Sequence, residues 1–93
     1  MNFVALIGIV ESVKNNSSSL NTIINIKVEK PYVDDKEDDW YELVSVFADK
    51  ETFKEEIKQT KKDSIIGIKG RLTRQENDPN KLVRVICERL QVF

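Results

Sequence analysis

The stretch Trp40-Tyr-Glu-Leu-Val-Ser-Val-Phe47 alternates strictly: Trp40, Glu42, Val44 and Val46 fall on one side, Tyr41, Leu43, Ser45 and Phe47 on the other. A period of two, carried by β-branched and aromatic side chains, is the pattern of a half-buried β-strand. The period then changes. From Asp49 to Lys62 the apolar positions are Phe53 and Ile57, four apart, which predicts one helix of about three turns with a solvated charged remainder. Thr52 and Glu55 fit a capping box, and Asp49 is an alternative N-cap. Ser64 to Gln75 returns to strand character, with Ile65, Ile66 and Ile68 interleaved with Gly67 and Gly70. Strand, one short helix, strand is the succession on which the fold turns.

The flanking sequence adds three more strands. Phe3 to Val10 is a near-continuous apolar run, too short for a stable helix and suited to a strand. Gly8 inside it predicts a bulge or a close backbone approach, as at a barrel corner. Asn15 to Ser19 is a polar turn. Leu20 to Val28 alternates, with Ile24, Ile26 and Val28 on one face and Ile23, Asn25 and Lys27 on the other, so the first two strands read as a hairpin. Pro31 ends the second strand, and Asn77-Asp-Pro-Asn80 is a turn. Leu82 to Phe93 is the last strand, with Val83, Val85 and Cys87 opposite Leu82, Arg84 and Ile86. The order β-β-β-α-β-β predicts an all-β fold with one helix: a five-stranded OB-fold Greek-key barrel, the helix lying between strands 3 and 4. Residues 1–93 read as one domain. An SH3-like barrel and an open five-stranded sheet are the competing folds.

Composition removes several functions. There is no His, so catalysis with an imidazole base is excluded. The single Cys87 excludes an intrachain disulfide and any Cys/His zinc cluster, and one unbridged thiol suits a reducing cytoplasm. No apolar run reaches the roughly 18 residues of a spanning helix, and Met1-Asn2-Phe3 lacks the basic start of a secretory signal. Adjacent acids such as Asp38/Asp39 and Glu55/Glu56 do not face each other, and no metal-ligand spacing or phosphate-cradling glycine loop is present. No enzyme activity and no cofactor are therefore expected. The net charge is -1, but it divides unevenly: residues 1–53 hold 5 basic and 10 acidic side chains, residues 54–93 hold 10 and 6. Five of the acids crowd into 34–39.

Three stretches together resemble the bacterial single-stranded-DNA-binding protein family. They are Met1-Asn-Phe-Val-Ala-Leu-Ile-Gly8 as its first strand, Trp40 to Phe47 as its third, and Lys61-Lys-Asp-Ser-Ile-Ile-Gly-Ile-Lys-Gly-Arg-Leu72 as its helix exit and fourth strand. The resemblance implies sequence-tolerant binding of single-stranded DNA in replication, recombination or repair. Stacking aromatics would fall at Tyr41 and Phe47, with Tyr32 nearby and Trp40 offset by one, at the core or at the loop edge. A basic position would fall at Lys62. It also implies a homodimer or homotetramer paired through strand 1, with replication or repair proteins as partners, in the cytoplasm beside the nucleoid.

The residues themselves support that chemistry. Such binding needs aromatic faces for bases and basic side chains for phosphates. Besides Lys62, the basic candidates are Lys27, Lys69, Arg71, Arg74 and Arg84. Phe3, Phe53 and Phe93 are expected in the core or at subunit contacts, and Cys87 as a small buried residue. The sequence also departs from the family. Gln75-Glu76-Asn77 stands where an aromatic is usual, the family's acidic tail has no counterpart, and the acidic segment lies where DNA would pass. These departures predict weaker, salt-sensitive binding. The alternative is an OB-fold protein-interaction module, akin to a primosome accessory factor, with weak or no DNA binding.

Overall fold

In the computed structural model, which describes residues 1–31, 39–74 and 83–93, the first strand, β1 (Val4–Asn15), serves two neighbours. Its first half pairs antiparallel with β4 (Ile65–Arg74), from Val4 opposite Gly70 to Ile9 opposite Ile65. Its second half pairs with β2 (Asn21–Glu29), from Ile9 opposite Lys27 to Asn15 opposite Thr22. A strand shared in this way must bend. A bulge between Val10 and Ser12 supplies part of the bend. Gly8 allows the rest, because a Cβ there would stand 2.6 Å from the Lys27 carbonyl oxygen. The close approach expected at Gly8 is thus present, and the bulge sits just beyond it.

β2 pairs antiparallel with β3 (Tyr41–Asp49), and β4 with β5 (Val83–Val92). A short parallel contact, Val46 opposite Val85 and Phe47 opposite Ile86, joins β3 to β5. The barrel is closed in the order β1-β2-β3-β5-β4, with one helix, α1 (Lys54–Gln59), between β3 and β4. This is the OB-fold arrangement. Closure leaves few unpaired edges, so a small chain can satisfy its backbone without a second domain.

Alternation sends one set of side chains inward. Val10, Ile24, Ile26, Val46, Ala48, Ile66, Ile68, Val85 and Cys87 form the core, and Phe53 closes its end beside α1. Burial pushes the Cys87 thiol up to about 11, and the thiol donates a hydrogen bond to the Arg89 carbonyl at 3.3 Å. Truncating a fully buried residue such as Ile24 should cost about 2–5 kcal/mol.

The sequence reading needs correction at the helix. The helical segment is six residues, not three turns. Its N-cap is Phe53 and no side chain caps it, so the Thr52/Glu55 capping box does not form. Asp49 takes that role earlier: its carboxylate accepts the Glu51 and Thr52 backbone N–H groups at 3.0 and 2.9 Å. Those bonds, the Thr52 backbone N–H above all, hold the Asp49 carboxyl below its usual range. They also wind 50–53 as turns, consuming the first part of the expected helix. At the other end, Thr60 is extended and 61–64 is needed as a turn. The Asp63 N–H donates to the Val10 carbonyl and the Val10 N–H to the Ser64 carbonyl, both 2.8 Å. Tertiary pairing to β1 outweighs the weak propensity of a short helix.

β4 and β5 run on past the barrel as a ribbon. Gly70 lies at the departure point, where a bulge falls and a Cβ would meet the Ile86 carbonyl oxygen at 2.0 Å. Beyond it Leu72 and Val83 are exposed. The Asn2 amide steadies the free side of the ribbon: its Nδ2 donates to the Leu72 carbonyl at 2.5 Å and its Oδ1 accepts the Leu72 N–H at 2.7 Å. A side chain thereby continues the β1–β4 ladder past the end of β1.

Candidate nucleic-acid interface

Outward side chains of β2 and β3 meet in four rungs. In order they are Ile23 with Phe47, Asn25 with Ser45, Lys27 with Leu43, and Glu29 with Tyr41. β1 extends two of them, Lys14 lying opposite Ile23 and Ser12 opposite Asn25. Because successive residues alternate, the inward burial of Ile24, Ile26, Val44 and Val46 forces this set to the outside. Tyr41 and Phe47 are half-buried, and Leu43 is 55 % exposed. Six residues of strand separate Tyr41 from Phe47, about 20 Å.

Each of the two aromatic rings carries a cation. The Lys27 ammonium lies 5.0 Å from the Tyr41 ring centre, and the Arg84 guanidinium 4.7 Å from that of Phe47. Trp40, just before β3, is exposed at the edge and not turned into the core. Its ring meets Tyr41 edge-on, with centres 5.1 Å apart and planes at 71°. The face therefore has two ends, Trp40–Tyr41–Lys27 and Phe47–Arg84.

The remaining sequence candidates are spread further. Arg71 is exposed on β4 opposite Ile86, with its Nε 4.0 Å from Glu88 Oε2. At that exposure the pair leaves the guanidinium available to a phosphate. Arg74 is exposed on the ribbon opposite Val83. Lys69 lies on the far side of the barrel, opposite Ala5 and Arg89. Lys62 sits in the turn that borders β1 on the side away from β2. Tyr32 and most of the acidic segment lie outside the described residues.

Other contributors were not singled out by sequence reasoning. Lys14 and Ser12 went unseen because the first strand was expected to end at Val10. Leu43, Asn25 and Ser45 carry neither a charge nor a ring. Their signal was positional: each shares the strand face of Tyr41, Phe47 or Lys27.

A second outward surface lies across the barrel. Ala5, Ile7, Gly67, Lys69, Arg89 and Phe93 line an open groove of about 780 Å³. Ile7 and Phe93 are each 67 % exposed. Phe93 lies against Gly67, where its ring approaches to 3.2 Å of the position a Cβ would take. Of the three phenylalanines expected in the core or at contacts, Phe53 is core, while Phe3 and Phe93 are exposed.

No family model matches the chain, and no curated protein does. Solved structures do resemble it. A single-stranded DNA binding protein from Thermus aquaticus superposes with a TM-score of 0.72 at 19 % identity, over all of this chain and 50 % of the other. A small single-stranded DNA binding protein from Mycoplasma pneumoniae gives 0.67 at 18 %, over all of this chain and 92 % of the other. An OBody bound to hen egg-white lysozyme gives 0.67 at 12 %, over 98 % and 93 %. The likeness is one of fold. The chain spans half the length of the Thermus protein and nearly all of the Mycoplasma one.

Proposed function

We propose that this chain is a non-catalytic module that binds single-stranded DNA across the outward face of β2 and β3. One observation carries the reading: two half-buried aromatic rings on one sheet face, each with a cation within 5 Å. Tyr41 and Phe47 stack on bases, with Trp40 beside Tyr41. Lys27 and Arg84 take the neighbouring phosphates, and Lys14, Arg71 and Arg74 extend the basic border. The fold shared with proteins described as single-stranded DNA binding supports this choice. Its setting would be replication, recombination or repair, in the cytoplasm beside the nucleoid. The five acids at 34–39 repel phosphate and keep the affinity low and dependent on salt.

The groove at Ile7 and Phe93 takes a second copy of the chain in this reading, making a homodimer or a larger homo-oligomer. A domain of this size gains from covering such a patch.

The second reading is a protein-interaction module. It is favoured by the likeness to an OBody bound to lysozyme, a barrel that grips a protein. Fluorescence anisotropy of a labelled oligo-dT separates the two. DNA binding predicts a saturable rise at low salt that weakens at high salt. A flat titration at both salt concentrations rejects the module as a DNA binder and leaves the protein-interaction reading.

A further inference from the structure

The Asn25–Ser45 rung of the candidate face carries neither aromatic nor charge, yet its side chains are hydrogen-bonded across the sheet. Ser45 Oγ donates to Asn25 Oδ1 at 2.6 Å, and Asn25 Nδ2 donates to Ser12 Oγ at 2.9 Å. Three strands are thus tied by a side-chain ladder running from β3 through β2 to β1. Asn25 is only 9 % exposed although it points to the outside of the barrel, so its amide is held in one place. Ser45 is exposed. The flanking rungs, Ile23–Phe47 and Lys27–Leu43, wall the ladder on both sides.

The hydrogen-bond inventory of the ladder is not used up. A hydroxyl has one donor and two acceptor positions, and an amide has two N–H donors. Ser45 spends its proton on Asn25 and keeps oxygen lone pairs toward solvent. Asn25 keeps a second N–H. Ser12 accepts from Asn25 and keeps its own proton. The ladder therefore offers acceptors at Ser45 and donors at Asn25 and Ser12, with no net charge. A phosphate has acceptors only and leaves the Ser45 lone pairs unused. The edge of a nucleobase has donors and acceptors side by side and matches both.

Position agrees with chemistry. Ser45 is two residues from Phe47, about 7 Å along the strand. A base stacked on Phe47 brings its neighbour over the ladder before the strand reaches Tyr41. We propose that Ser12, Asn25 and Ser45 form a base-reading element, at which one nucleotide between the two stacking positions is read by hydrogen bonds. This rests on the DNA-binding reading above and adds to it that binding depends on base identity at one point. Pure stacking and phosphate contact give little such dependence.

The test compares oligo-dT and oligo-dC of equal length, at one fixed low salt concentration, on the wild-type chain, Ser45→Ala and Asn25→Leu. The readout is the ratio of the two dissociation constants, with the salt dependence measured alongside. A base-reading ladder predicts that each variant shifts the dT/dC ratio by about fivefold or more and leaves the salt slope unchanged. An unchanged ratio with binding retained overturns the base-reading element alone. Absence of binding of either oligonucleotide by the wild type overturns the DNA-binding reading, and this one with it. Ser45 is exposed, so Ser45→Ala decides the matter if circular dichroism shows Asn25→Leu unfolded.

Discussion

The two outward faces of the barrel are made by the same alternation and end up chemically opposite. On β2 and β3 the outward set mixes rings, cations and a polar ladder: Phe47, Asn25, Ser45, Lys27 and Tyr41. On β1 and β4, with Phe93 just past β5, it is Ala5, Ile7, Ile65 and Gly67, and Lys69 and Arg89 line the same groove. Both are built from antiparallel strands whose side chains alternate inward and outward. The difference teaches that closure decides where side chains point, while the residue written at each outward position decides what they meet. A ring flanked by cations suits stacked, phosphate-linked bases. An aliphatic stripe with an exposed phenylalanine suits another apolar surface.

The largest separation of the two faces should come from Tyr41→Ala with Phe47→Ala. Each ring is worth about 1–3 kcal/mol of base stacking, so oligo-dT affinity in an anisotropy titration falls at least about thirtyfold. Sedimentation velocity should show the oligomeric state untouched. Loss of assembly in this variant would mean that the faces are not independent.

Ile7→Asp is the mirror experiment. A carboxylate placed in an apolar contact is costly to bury, so self-association measured by sedimentation weakens about a hundredfold or more. Oligo-dT binding per chain persists. Unaltered assembly would move the contact away from the groove.

Cys87 lies in the interior that both faces share. Its thiol is held neutral with a folded value of about 11 against an ordinary 9.0. The unfolded chain ionises first, so the stabilisation is complete below pH 9 and is lost between about 9 and 11. The loss is on the order of 1.4 kcal/mol per pH unit at most. Urea unfolding across that range should fall more steeply for the wild type than for Cys87→Ala. Parallel curves would deny the burial effect.

The smallest effects concern single cations. Lys27→Met or Arg84→Met should each lower the slope of log affinity against log salt by about 0.7. Lys62→Met should change it less, since Lys62 borders β1 away from the face. An equal effect at Lys62 would extend the DNA path around β1.

Much of this contrast was legible beforehand, for a physical reason. Alternation in Trp40–Phe47 and Leu20–Val28 is imposed by burial on one side only, so it marks Tyr41, Phe47 and Lys27 as co-facial. What was lost depended on pairing between distant segments. β1 runs on to Asn15 because β2 pairs with it there, although Glu11 to Lys14 is mostly polar. The helix is short because β1 claims the 61–64 turn. Lys69 and Arg71 share a strand face in sequence, yet a register shift between Lys69 and Gly70 sets Lys69 opposite Arg89 at the groove and Arg71 opposite Ile86. The ladder could not be read from spacing, because Ser12, Asn25 and Ser45 meet only across three strands.

The central claim is that bases stack at Tyr41 beside the single tryptophan. Trp40 packs edge-on against that ring, so its emission reports directly on the site. Titration of the wild-type chain with oligo-dT at low salt should give a saturable quench of Trp40 fluorescence that added salt reverses. Emission that stays constant up to saturating oligonucleotide at low salt would contradict the account.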